Sequence, residues 1–203
     1  MQIKGKVDME NKEIKTSYTM NLKNLKEFQN GYQNTGIVNK IFYILMILVL
    51  LLEYFYGNYY IIYFFTFIYF LSKILRTYIV KLNYQRRLQI SNGKIPNNEL
   101  YIENNIITII NTDNKNKLEY PLDKVINIAE TDNLIILKMK YKLGIVLNKN
   151  NLEGATREEI IDFLFKNCSN LKNKKIYKYN KTIDKFFIAF LIVLSLLSIL
   201  AMY

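Results

Sequence analysis

Apolar residues along this chain collect in two long runs, 41–71 and 186–203, and elsewhere alternate at short periods with Lys, Asn and Glu. The first run divides at Gly57–Asn58. One arm extends from Lys40 through Ile41–Leu52 to Tyr56, and the other from Tyr59 through Leu71, continuing as a helix to about Val80. A helix rises 1.5 Å per residue, so about 17–20 residues are needed to cross about 30 Å of hydrocarbon. Each arm just meets that length, and together they predict a transmembrane helical hairpin. Phe186–Tyr203, eighteen residues without a charge, predicts a third transmembrane helix resembling a C-terminal anchor. Tyr54, Tyr56, Tyr59, Tyr60 and Tyr63 gather around the hairpin turn, where amphipathic rings favour the headgroup level.

Between the oily runs the pattern is that of strands. Leu100–Glu103 and Ile106–Ile110 flank Asn104–Asn105, a dipeptide that tolerates the positive φ of a tight hairpin. Further strands are predicted at Leu118–Tyr120, Val125–Ala129 and Leu134–Leu137, with breaks at Pro121 and Asp132–Asn133. From Leu137 through Met139, Tyr141, Leu143 and Ile145 to Leu147 apolar residues recur at period two, with Lys138, Lys140 and Lys142 between them, which predicts one buried and one basic face. Thr156-Arg-Glu-Glu is a capping box opening a helix whose apolar stripe is Ile160, Ile161, Leu164, Phe165 and Cys168. Before the hairpin, Ile14, Thr16, Tyr18 and Met20 alternate like a strand, and Leu22, Leu25, Phe28 and Tyr32 repeat like an amphipathic helix. Those residues are too few for a core of their own, so they are expected to join the later β domain across the hairpin.

Charge gives these elements a direction. Lys and Arg number 28 against 17 Asp and Glu, a net charge of +11 that suits nucleic acid or an anionic membrane surface, and the apolar runs favour the membrane. Positive residues are retained on the cytoplasmic side. Lys40, Lys81, Arg86, Arg87 and the lysines of 172–185 flank one set of helix ends, while the Gly57–Asn58 turn and the C-terminal tip carry none. The expected arrangement is a multi-pass protein of a bacterial cell membrane, with the N-terminus and residues 81–185 cytoplasmic. The polar run Met1–Lys15 argues against a cleaved signal peptide. Glu53 lies near the turn and Lys73 about 22 Å along the second arm, so they are not expected to pair; Lys73 and Arg76 are expected to snorkel to the headgroups.

Little here suggests catalysis. Histidine is absent, which removes the commonest general base and metal ligand, and Cys168 stands alone without an activating neighbour. The seven glycines form neither GxGxxG nor GxxxxGK[ST], Glu158–Glu159 is explained by the first turn of a helix, and no zinc spacing occurs. No catalytic residue, cofactor or metal is expected.

Tyr18-Thr-Met-Asn-Leu with Phe28 and Tyr32, Tyr120-Pro-Leu-Asp-Lys-Val-Ile, Ala129-Glu-Thr-Asp-Asn-Leu-Ile-Ile-Leu and Gly144-Ile-Val-Leu-Asn-Lys are spread over about residues 10–168. With these motifs the layout resembles the YcxB-like family of bacterial membrane proteins. The chain departs from the family at Leu122, where Trp is frequent, and at Asn148, where Pro is frequent; the third helix is additional. The resemblance implies a β domain similar to pleckstrin-homology folds. Membrane proteins of that kind and size also resemble some immunity proteins for membrane-active bacteriocins.

The fold expected is therefore α+β: residues 1–36 form a strand and amphipathic helix, 37–80 the transmembrane hairpin, 81–170 an antiparallel pleckstrin-homology-like domain capped by a helix, 171–185 a basic linker and 186–203 the last transmembrane helix. In the linker, Lys172, Lys174, Lys175, Lys178 and Lys181 are the candidate contacts for anionic lipid headgroups, at about 1 kcal/mol for each lysine near the surface. The function expected is a non-enzymatic module presenting its β domain at the cytoplasmic face to lipid or to a protein partner of unknown identity, with immunity to a bacteriocin as the most concrete role. A small transporter or channel subunit is the alternative. Nucleic acid is not expected as a partner, and homo-oligomerisation is left open.

Overall fold

The computed structural model describes residues 13–33, 37–172, 175–179 and 181–202. Most of the polar run Met1–Lys15, the lipid candidate Lys174, the topology marker Lys40 and the terminal Tyr203 lie outside what is described, Lys40 in its side chain. The fold is α+β, with five helices and two sheets among the described residues.

The chain opens with β1 (Ile14–Thr19) and α1 (Leu22–Gln33). Two apolar helices follow, α2 (Ile37–Phe55) and α3 (Tyr59–Ile90), joined through Gly57 at φ +74. The Gly57 amide donates to the Tyr54 carbonyl at 3.1 Å and the Asn58 amide to that of Glu53 at 2.9 Å, closing the last turn of α2 as a left-handed cap. Helix α3 runs ten residues past the expected end at Val80, because nothing between Lys81 and Ile90 breaks a helix until Asn92 and Gly93, both at positive φ.

Strands β2 (Asn97–Glu103), β3 (Ile106–Asn111) and β4 (Lys117–Pro121) come next, followed by β5 (Val125–Glu130), β6 (Leu134–Met139), β7 (Gly144–Asn148) and β8 (Leu152–Glu153). Asn104 and Asn105 take φ of 49° and 63°, the two positive values that a two-residue hairpin requires. One sheet has the order β4-β3-β2-β1-β8, so β1 is an inner strand, paired antiparallel with β2 from Ile14 opposite Ile102 to Thr19 opposite Asn97. Helix α4 (Arg157–Asn167) begins at the capping box: the Glu159 amide donates to the Thr156 hydroxyl at 3.3 Å, and the Thr156 amide to the Glu159 carboxylate at 2.8 Å.

The second sheet, β7-β6-β5-β9, departs from the expected antiparallel order. Its edge strand β9 (Ile176–Lys178) pairs parallel with β5, Ile128 opposite Ile176. The stretch expected as a linker is thus hydrogen-bonded to the domain, and α5 (Lys181–Met202) starts five residues earlier than Phe186. The period-two run from Leu137 to Leu147 also proves to be two strands. It turns at Lys140–Lys142, where Tyr141 sits at φ 62 and is 96% exposed, while Met139 and Ile145 are both buried. The turn preserves parity, so alternation alone does not reveal it.

Three apolar clusters organise the molecule. The first fills the space between the sheets and under α4, from Ile14, Leu100 and Ile107 to Leu137, Ile145 and Leu164. The second covers the outer face of the second sheet, where Ala129, Leu134, Ile136 and Val146 meet Leu25 of α1 and Val80 of α3. With cores on both faces, Leu134, Ile135, Ile136 and Leu137 are all buried. Leu22, expected on the apolar stripe of α1, is 41% exposed. The third cluster joins α2, α3 and α5 through Leu50, Ile62, Phe187, Leu191 and Leu194. Because Val80 belongs to the second cluster and Ile62 to the third, one continuous helix fixes the bundle to the β domain. Each such buried aliphatic side chain contributes about 1.5–3 kcal/mol.

Helices α3 and α5 are long and apolar enough to cross a membrane; the described apolar part of α2, Ile41–Phe55, is shorter.

Candidate functional site between α1, α3 and α5

Of the five lysines picked out from sequence, four lie among the described residues. Lys172 and Lys175 are exposed, Lys178 lies on edge strand β9 with its side chain outward, and Lys181 pairs with Asp132 of the β5–β6 turn. Lys172, Lys175 and Lys178 thus lie in or beside edge strand β9, and Lys181 in the first turn of α5.

A cavity of ≈ 210 Å³ does form where the helices meet the domain, lined by Lys26, Asn30, Lys73, Arg76, Thr77, Val80, Tyr179 and Asp184. Spacing explains the set. Lys26 and Asn30 are four apart on α1, beside its buried Leu25, and Lys73, Arg76, Thr77 and Val80 repeat at three and four on α3, so each group shares a helix face. The third wall is the junction between β9 and α5, which the parallel pairing of β9 brings alongside.

Asp184 anchors one side. Its carboxylate accepts from the Tyr43 hydroxyl at 2.7 Å, from Lys73 Nζ at 3.0 Å and from the Tyr179 hydroxyl at 3.1 Å, so it ties α2, α3 and the start of α5 together. Lys73 was expected to reach solvent at the interface; instead it is paired, and its ammonium also stands 5.3 Å from the centre of the Tyr69 ring. Arg76 donates to the backbone carbonyl of Gln29 at 3.5 Å, and neither it nor Lys26 has a carboxylate partner among the described residues. Three cations therefore face one carboxylate, and Asn30 adds an amide donor. This set favours an anion. It offers little for proton abstraction, since Asp184 already accepts from three donors.

Two further polar clusters hold the scaffold around this cavity. Glu27, on α1, is buried; its carboxylate accepts from the Thr131 hydroxyl at 2.6 Å, the Asn133 amide at 2.8 Å and the Asn133 side chain at 3.0 Å. Burial opposes its ionisation, but these donors outweigh burial and hold its carboxyl below the usual range. Glu130, at the end of β5, receives the Arg157 guanidinium in a fork, 2.5 Å to Nε and 2.6 Å to Nη2, with Lys149 Nζ at 3.1 Å. Arg157 chiefly holds the Glu130 carboxyl down to about 2. The buried Cys168 thiol is pushed up to about 12 by desolvation, so it has little thiolate at neutral pH.

Sequence reasoning singled out Lys73 and Arg76 but missed Lys26, Asn30, Tyr179 and Asp184. The available signal was their same-face spacing on α1 and α3; the third wall depends on a strand pairing that three residues amid Lys and Asn do not announce. No three His, Cys, Asp or Glu side chains gather as a metal site among the described residues. No protein-family model matches the chain, and no curated protein matches it.

Proposed function

We propose that this chain is an integral membrane protein whose three apolar helices hold a pleckstrin-homology-like β domain at the cytoplasmic face, where it meets lipid or a protein partner. The observation carrying this reading is the outward exposure of the apolar helices: only 6% of the most apolar stretch of α3 is buried, and 22% of that of α5. Core helices of water-soluble folds are mostly buried. Phe42, Leu45, Phe64, Phe67, Leu196 and Leu200 are each more than half exposed, and large apolar side chains massed on the outside are unusual for a soluble monomer.

The pleckstrin-like reading is supported by the antiparallel β1–β4 order, the β5–β7 meander packed on it, and a helix closing the end. The element order of strand, helix, hairpin, β domain and helix also supports kinship with the YcxB-like family. Orientation rests on Lys81, Arg86 and Arg87 beside the β domain, against none at Gly57–Asn58. A transport role is disfavoured, because Leu50, Ile62, Phe187, Leu191 and Leu194 fill the bundle interior with apolar side chains. Protection against a membrane-active bacteriocin remains the concrete role within this reading, because such a peptide enters the bilayer in which this reading seats the bundle.

The test is labelling by a membrane-impermeant thiol reagent in intact cells. Asn58→Cys should react from outside, and Asn114→Cys only after permeabilisation. Outside labelling of Asn114→Cys would overturn the orientation, and a chain that stays soluble and monodisperse without detergent would overturn the membrane reading. Sensitive cells that express the chain and are killed as readily as before by membrane-active peptides would remove the immunity role.

A further inference from the structure

We infer that the cavity between α1, α3 and α5 binds the phosphate group of an anionic membrane lipid, a step that rests on the membrane reading above and assigns its lipid contact to a built pocket. Depth places the cavity at the right level. Lys73 stands fourteen residues from Tyr59 at the hairpin turn, about 21 Å along α3, and Arg76 is one turn further. With the turn at one boundary of a core about 30 Å thick, these cations reach the opposite headgroup layer. On α5 the carboxylate of Asp184 lies eighteen residues from Met202, about 27 Å, and arrives at the same layer.

The charges then select the ligand. Asp184 neutralises Lys73, which leaves Lys26 and Arg76 facing the cavity without a carboxylate, beside the Asn30 amide. A planar guanidinium and an ammonium converging from two helices match a phosphate's several oxygens. The volume of ≈ 210 Å³ is below the about 300–1,000 Å³ of sites enclosing a drug-sized ligand, so it admits a headgroup and leaves the acyl chains in the bilayer. Lys172, Lys175 and Lys178, in and beside edge strand β9, serve as the contrast: they are equally basic, and none of them lines this cavity. Occupation would join α1 to α3 from within, so lipid would tighten the β domain against the bundle.

The full-length chain in detergent micelles is titrated with phosphatidylglycerol, phosphatidylcholine and inorganic phosphate, and bound species are counted by native mass spectrometry. Phosphatidylglycerol should be retained in preference to phosphatidylcholine. Lys26→Gln and Arg76→Gln should each weaken its retention by about fivefold, and the triple change Lys172→Gln, Lys175→Gln and Lys178→Gln should leave it unaltered. Asp184→Asn releases Lys73 from its ion pair and should tighten retention by about fivefold, a gain that misfolding does not imitate. Retention that survives both Lys26→Gln and Arg76→Gln but is lost in the triple variant overturns the pocket while leaving the membrane reading intact. Displacement of the lipid by inorganic phosphate at equal concentration assigns the cavity to a soluble anion and overturns the lipid source. Weaker binding in Asp184→Asn also counts against the proposal.

Discussion

Glu130 offers a sharp test of how the β domain is held. Its side chain is 6% exposed, and its carboxylate accepts from Arg157 at 2.5 and 2.6 Å and from Lys149 at 3.1 Å. The carboxyl ordinarily titrates at 4.5 and is held to about 2 in the folded chain. At about 1.4 kcal/mol per pH unit, that difference corresponds to about 3 kcal/mol of stability. Because the folded value is the lower one, the contribution is complete above about pH 4.5 and is lost as pH falls toward about 2. Glu130→Gln removes the charge and leaves Arg157 and Lys149 a neutral amide oxygen in place of their buried carboxylate, though both reach water and recover part of the loss. The variant should therefore melt about 10 °C lower at neutral pH, followed by circular dichroism in detergent. The gap between native chain and variant should shrink through the acid range and close near pH 2. Two melting-temperature curves that run parallel from neutral pH to acid would refute the reasoning, since they would mean that Glu130 is not preferentially ionised in the folded state.

Other consequences concern the seating of α1 and the lone thiol. Gly144→Ala would put a methyl group 2.7 and 2.8 Å from the Phe28 ring and 3.0 Å from that of Tyr32, so it should cost about 1–3 kcal/mol and expose α1 to limited proteolysis. Glu27→Gln weakens the acceptor of the Thr131 hydroxyl and the Asn133 amide; a loss of about 1–3 kcal/mol is expected, with faster hydrogen exchange at the Asn133 amide. Cys168 should resist a maleimide at neutral pH while the chain is folded and react fully in denaturant; brisk labelling of native protein would show that α4 does not stay seated.

Features set by neighbouring residues were legible in the sequence. Asn104–Asn105 supplies two positive φ values in place, and Thr156 with Glu159 closes its own box, so both follow from local chemistry. The alternation of Ile14, Thr16 and Tyr18 likewise marks a strand with one face inward, and those three are buried. What escaped depends on distant partners. Strand β9 has only Ile176 and Tyr177 to suggest it, and its parallel register comes from β5. Asp184 looks like one more charge beside Lys185 until α2, α3 and α5 are packed, when it becomes the acceptor of Tyr43, Lys73 and Tyr179. Lys26 and Asn30 gain meaning only from Arg76 across the cavity. The candidate site therefore follows from tertiary contacts that no single segment encodes.

The placement of β1 imposes an order on biosynthesis. This strand leaves the ribosome before α2 and α3, yet its neighbours in the sheet, β2 and β8, are made only after both of those helices have been translated. The sheet cannot close until α2 and α3 have been made, so β1 waits for Ile102 and its other partners while two apolar helices emerge. A chain interrupted before β2 is made would leave β1 unpaired, an open sheet edge exposed to aggregation and proteolysis.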